Sequence, residues 1–173
     1  MSNYDEFIFL NKFNKEMIEK ALYLDIRELI LQGICEKMKK DDDFFLRMKR
    51  LYFSMDELSA TEKLIYTSYK LVLPKDDLEW MNKCIIAYFK KKDTRKSIDY
   101  SERKALLEVQ NYKCAVCKTA LTLGEAHIDH IIPWDYVGDE LENNLQALCS
   151  DCNLHKSNHV ANTVKNIIIK MEV

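Results

Sequence analysis

Two Cys-x-x-Cys pairs limit what this chain can fold into more than any other feature: "CAVC" at Cys114 and Cys117, and "CSDC" at Cys149 and Cys152. A two-residue spacer lets a tight turn aim both sulfurs at one ion, and two such knuckles complete a tetrahedral thiolate site. The expectation is a structural Zn²⁺ held by Cys114, Cys117, Cys149 and Cys152. Thirty-one residues lie between the pairs, more than in the usual zinc-ribbon loop, so they should carry structure of their own. A core of about 75 residues is marginal by itself, whereas structural zinc contributes on the order of 10–16 kcal/mol to folding. Four thiolates leave the ion no open position, so this zinc is not expected to catalyse. Cys35 and Cys84 each stand alone in a helical pattern and read as core residues.

The rest of the chain reads as helix. Only three Gly and two Pro occur in 173 residues, and 47% of the residues are hydrophobic. From Asn3 to about Lys92, apolar residues recur at three and four positions, as at Met17, Ala21, Leu24, Leu29, Ile30 and Ile34. "DDDFF" opens a second helix with acids at its positive end. Ser59 with Glu62 has the spacing of a capping box, and Pro74 followed by Asp76 and Asp77 marks another start. The stretch "KKKDTRKSIDY" (90–100) loses the period and reads as a linker, its basic strip 90–96 being either a DNA contact or a solvated connection. Ser101 is placed to cap a short helix leading to Cys114. The fold class expected is mainly α: a helical domain over residues 1–98, then a small zinc-stapled strand–strand–helix domain over 99–173.

Charge and hydropathy narrow the setting. No stretch approaches about 18 apolar residues, the length needed to cross a bilayer. The opening "MSNYDEFIFLNKFNKE" lacks a basic start and a small-residue cleavage site, so a cytoplasmic protein is expected. Net charge is −2, with residues 1–100 contributing +1 and residues 101–173 contributing −3. A polyanionic partner would therefore need cations from a bound metal or from a local basic strip.

Three of the four histidines fall in "HIDHIIPWDYVGDELENNLQALCSDCNLHKSN" (127–158). "EAHIDHIIP" reads as a strand ended by Pro133, "NLQALC" as a second strand, and "SDCNLHKSN" as a helix. Asp129 and Asn153 offer hard oxygen atoms of the kind that suit Mg²⁺ or Mn²⁺. His130 titrates near neutrality and is suited to activate water. Neighbours in a regular strand face opposite sides, so Asp129 and His130 share a site only if the strand twists or ends there. His127, on the Asp129 face, is a candidate phosphate contact or auxiliary ligand, and His155 and Lys156 are candidate phosphate contacts. His159 reads as surface.

The order Cys-x-x-Cys, "HIDHIIP", "NNLQALC", "CSDCNLHK" resembles the HNH endonuclease family, the ββα-metal nucleases, in its four-cysteine form, over about residues 101–173. The resemblance implies His130 as general base and Asp129 as a ligand of a catalytic metal. It implies Asn144 as the middle residue, bracing the loop between the strands, and Asn153 as second metal ligand in place of the last histidine. The implied reaction is hydrolysis of DNA to 5′-phosphate and 3′-hydroxyl ends, in a bacterial restriction, phage-defence or mobile-element setting. The competing expectation is a zinc-stapled nucleic-acid-binding module without catalysis. A further expectation, compatible with the nuclease reading, is that residues 1–98 form a helical adaptor that recruits a protein partner or makes a homodimer, the chain being the nuclease subunit of a larger system.

Overall fold

The computed structural model describes residues 15–159 and 162–164. The helical pattern expected before Lys15, and the N-terminal stretch expected not to be a secretory signal, lie outside them. Among the described residues four helices come first: α1 (Lys15–Lys40), α2 (Asp42–Ser54), α3 (Glu57–Tyr69) and α4 (Lys75–Lys90). α5 (Tyr100–Val109) leads to the cysteine-rich unit, which contains β1 (His127–His130), α6 (Trp134–Val137), β2 (Leu145–Leu148) and α7 (Ser150–Lys156). The described residues are mainly α with one two-stranded antiparallel sheet, in which Asp129 pairs with Gln146 and His130 with Leu145. No helix among the described residues is long and apolar enough to cross a membrane.

Local chemistry sets the helix starts, and two differ from expectation. Asp41 caps α2, its carboxylate accepting from the Phe44 N–H at 2.8 Å. Asp56, not Ser59, caps α3: its carboxylate accepts the Ser59 N–H at 3.0 Å, so Ser59 and Glu62 lie inside the helix. Likewise Asp99, not Ser101, caps α5, in a reciprocal box with Glu102. In both cases an aspartate two or three residues upstream, in extended backbone geometry, reaches the orphan N–H groups first. A charged acceptor there also meets the helix dipole, which a serine hydroxyl does not.

The main core lies among α1, α3 and α4, where Leu31, Ile34, Met38, Leu64, Ile65, Met81 and Ile85 are fully buried. α1 presents Ile18, Ala21, Ile30, Leu31 and Ile34 inward, whereas Met17 and Leu29 of the expected stripe are exposed. Cys35 and Cys84 lie inside this core, where burial pushes both thiols up, Cys84 to about 12. They are packed as small apolar groups and are far from thiolate chemistry.

The helical core does not stop at the linker. Ile132 and Val137, from the connection between β1 and β2, belong to the same buried cluster as α1 and α4, with Tyr136 and Leu141 packed against it. Lys91 tightens the joint: its Nζ donates to the Asp135 carbonyl at 2.9 Å and lies 4.9 Å from the centre of the Trp134 ring. Gly138 has φ +60, and a Cβ there would stand 2.7 Å from Lys91 Cγ, so only glycine fits this approach. A second, smaller core of Leu107, Val116, Leu121, Ala126, Ala147 and Leu148 lies under the cysteines.

One carboxyl is out of balance with its surroundings. Burial, aided by Asp25, raises Glu28 to about 7, against the opposing pull of Arg27 and Lys156. Folding therefore retains a proton that the unfolded chain releases near its ordinary value, so stability falls as pH rises from about 4.5 to about 7 and stays lower above that. Glu28→Gln cannot ionise. It is expected to raise unfolding free energy by on the order of 2 kcal/mol at pH 8 and by little at pH 5, read from denaturant melts. Equal effects at both pH values would contradict the assignment.

Candidate functional site

The cysteine knuckles are built by the segments on either side of the sheet. Ala115 N–H donates to the Ala147 carbonyl at 3.0 Å, tying the first knuckle to β2. The Gln110 carboxamide brackets the same residue, accepting from Ala147 N–H at 2.8 Å and donating to its carbonyl at 3.1 Å. Cys149 is the N-cap of α7, and its sulfur accepts from Cys152 N–H. The four ligand atoms of Cys114, Cys117, Cys149 and Cys152 lie within 4.8 Å of one another, with Cys117 and Cys149 sulfurs 3.7 Å apart. Zn–S bonds of about 2.3 Å at tetrahedral angles require sulfurs about 3.8 Å apart, so the donor set fits zinc as expected from the spacing.

Beside this staple the strand ends bring a polar cleft of about 130 Å³ together, lined by Asp129, His130, Lys156, Trp134 and Arg95 among others. β1 ends at His130, which resolves the strand-face difficulty: both neighbours reach one cleft where the pleat stops. His130 is only 3% exposed. Its Nε2 lies 3.2 Å from Asp139 Oδ1, and its Nδ1 lies 3.0 Å from Arg95 Nη2. Burial and the Arg95 charge together hold the imidazole below its ordinary range, against the raising effect of Asp139 and Asp129.

Asp139 is itself fixed on its other oxygen, which accepts from the Trp134 indole N–H at 3.0 Å and the Lys96 N–H at 2.9 Å. Partial burial would raise this carboxyl, but those donors and His130 keep it below the usual carboxylate range. Asn144, 5% exposed, closes the connection between the strands from within. Its Oδ1 accepts from Ile132 N–H at 2.8 Å, its Nδ2 donates to the Ile132 carbonyl at 2.9 Å, and its own carbonyl accepts from Ile131 N–H. The two residues following His130 therefore have no freedom to drift.

The other residues singled out in the sequence divide. Lys156 is not on a solvated surface: it is 6% exposed, with Nζ 2.9 Å from Asp129 Oδ2 as an ion pair that lacks hydrogen-bond alignment. Asn153 is half-buried on α7, three residues before Lys156, and is not among the residues lining the cleft. His127 and His155 are exposed and also outside the lining, the latter hydrogen bonded through Nδ1 to the Asp151 carbonyl at 2.7 Å. His159 is exposed, as expected. Sequence reasoning missed Asp139, which carried only a weak signal as an acid beside the Gly138 turn; it marked Arg95 only as part of the basic strip 90–96, and its contact with His130, 35 residues away, had no signal.

Cys114→Ser or Cys149→Ser is expected to release the zinc and open amide exchange in α7, while α1 and α4 keep their protection. Zinc analysis with exchange mass spectrometry checks this, and a variant that retains one zinc per chain would contradict it.

Residues 114–159 match the family model described as HNH endonuclease. No curated protein and no solved structure matches the chain. The match runs from the first zinc knuckle to the end of α7, enclosing the staple, β1, β2, Asp129, His130 and Asn144. Four thiols gathered for zinc and a strand–strand–helix order make the segment from Cys114 to His159 similar to the HNH endonuclease model that it matches.

Proposed function

We propose that this chain is a metal-dependent endonuclease that hydrolyses DNA phosphodiester bonds, with His130 as general base. The observation that carries this reading is the buried, carboxylate-backed His130 opening into the same cleft as Asp129, in a unit that also gathers four thiols for zinc. An imidazole held below its ordinary range is neutral at physiological pH, and so is in the form that takes a proton. His130 removes a proton from water, the water oxygen attacks phosphorus in line, the P–O3′ bond breaks, and the 3′ oxygen takes a proton from solvent. Asp139 holds the ring and offsets the charge that it acquires. Asn144 is a positioning residue that fixes the backbone after His130.

The cleft suits a divalent cation: Asp129 already holds a positive group, the Lys156 ammonium, at 2.9 Å. In this reading Asp129 would hold Mg²⁺ or Mn²⁺, oxygen donors suiting such hard ions, and Asn153, outside the cleft lining in the free chain, would have to turn toward it to serve as second ligand. When bound, the ion supplies charge stabilisation at the leaving oxygen. Lys156, relieved of Asp129, turns to a phosphate oxygen, and the exposed His127 and His155 meet the flanking backbone. The helices preceding residue 98 carry the nuclease and recruit a partner or a second copy, which a light-scattering mass with and without DNA would register. A role in restriction, phage defence or mobile-element movement belongs to the same reading.

One observation favours the competing reading of a binding module without turnover: in the free chain both His130 ring nitrogens and Asp129 already have partners. Plasmid nicking decides between the two. His130→Ala is expected to lose about 10²- to 10⁴-fold in single-turnover rate while keeping its zinc and its thermal midpoint. A near wild-type rate would remove His130 from the role of base.

Brief chelation is expected to silence the enzyme without unfolding it, because the zinc is enclosed by thiolates and the cleft ion is not. Added Mg²⁺ or Mn²⁺ should then restore nicking and added Zn²⁺ should not, with Asp129→Ala behaving like chelated protein beyond rescue. Activity that survives removal of every divalent ion except the staple's would overturn the division between the two metals.

A further inference from the structure

Arg95 lies outside the segment that matches the family, in the connection between α4 and α5, yet its Nη2 stands 3.0 Å from His130 Nδ1. A guanidinium has only donors, so Nδ1 must accept, and the single ring proton sits on Nε2, directed at Asp139. Histidine in this arrangement has no lone pair left for water. The base is oriented and covered at once.

The cover is placed to move. On one side of Arg95 the chain is anchored by Lys91 on Asp135 and Trp134, and on the other by the Lys96 N–H on Asp139. Between these anchors Arg95 is an exposed residue whose side chain reaches into the cleft, opposite Lys156. Its present partner is one neutral imidazole nitrogen. A phosphodiester entering the cleft offers two charged oxygens matched to the planar fork of a guanidinium, a stronger acceptor pair.

We propose that Arg95 is a phosphate-operated cover on the base. It holds the His130 ring and occupies Nδ1 in the free protein, then transfers to the non-bridging oxygens of the bound phosphodiester and leaves Nδ1 open to the attacking water. This rests on the reading of His130 as base. Hydrolytic competence then arises only when a phosphate is in place, and the connection from the helical unit becomes part of the substrate site.

The test uses the zinc-loaded full chain and three variants: Arg95→Ala, Arg95→Lys and His130→Ala. Thermal midpoint and zinc content are first matched to wild type. In the free wild-type protein the ¹⁵N resonance of His130 Nδ1 should report a hydrogen-bonded acceptor. Adding a short DNA duplex, with no Mg²⁺ or Mn²⁺ present, should move it toward a free acceptor. Arg95→Ala should show the free position from the start and no further movement with DNA. With Mg²⁺, Arg95→Ala should lose about 10- to 100-fold in kcat/KM, chiefly through KM, the range for a lost charge-assisted hydrogen bond, with Arg95→Lys between it and wild type. A purely structural Arg95 predicts the opposite split, a lower kcat at unchanged KM with an Nδ1 signal that ignores DNA, and either result would overturn the proposal. His130→Ala separates the two failures. If it nicks normally the base assignment falls, while the wild-type Nδ1 shift still decides whether phosphate displaces Arg95.

Discussion

Four thiols brought within 4.8 Å of one another are the contact on which the C-terminal unit depends. Its sheet has two strands of four residues each, and its own core is a handful of small and medium side chains. Such a hairpin is marginal in water. The staple changes that by fastening the end of β2 and the start of α7 to the turn after α5. It thereby holds the His127 end of β1, which pairs with Leu148, while the His130 end, where Asp129 and His130 reach the same cleft, is held by Asn144 on Ile132.

The second constraint is the joint with the helices. Ile132 and Val137 insert into the helical core, so the residues just beyond His130 are held from two sides, by apolar burial and by the Asn144 carboxamide on Ile132. A side chain proposed as a base must be held within a fraction of an ångström to be useful, and a four-residue strand does not provide that rigidity alone. The connection between the units contributes on the same scale. It positions Arg95 on one ring nitrogen of His130 and, through Lys96, the carboxylate on the other.

Charge follows the same local logic. The C-terminal part of the chain is net acidic, which argues against broad attraction of a polyanion. The cleft itself is balanced, its two cations Arg95 and Lys156 standing beside two carboxylates, Asp129 and Asp135, with Lys156 paired to Asp129.

The sequence by itself determined what is encoded at short range. The cysteine knuckles, a first strand within "EAHIDHIIP" (though it stops at His130, three residues before Pro133), the short second strand, α7 and the adjacency of Asp129 to His130 all depend on spacings of a few residues. So does the helical character of residues 15–90. Where two local signals competed, the stronger acceptor won: Asp56 over Ser59 and Asp99 over Ser101, a choice that spacing rules rank only weakly. Only the tertiary structure decided that Lys156 is buried against Asp129, that Asn153 stands off the cleft, and that Arg95 and Asp139 grip His130. These contacts span 9 to 35 residues, so the linear pattern marks Lys156 and the basic strip around Arg95 as candidates but gives the partner of neither until the chain packs.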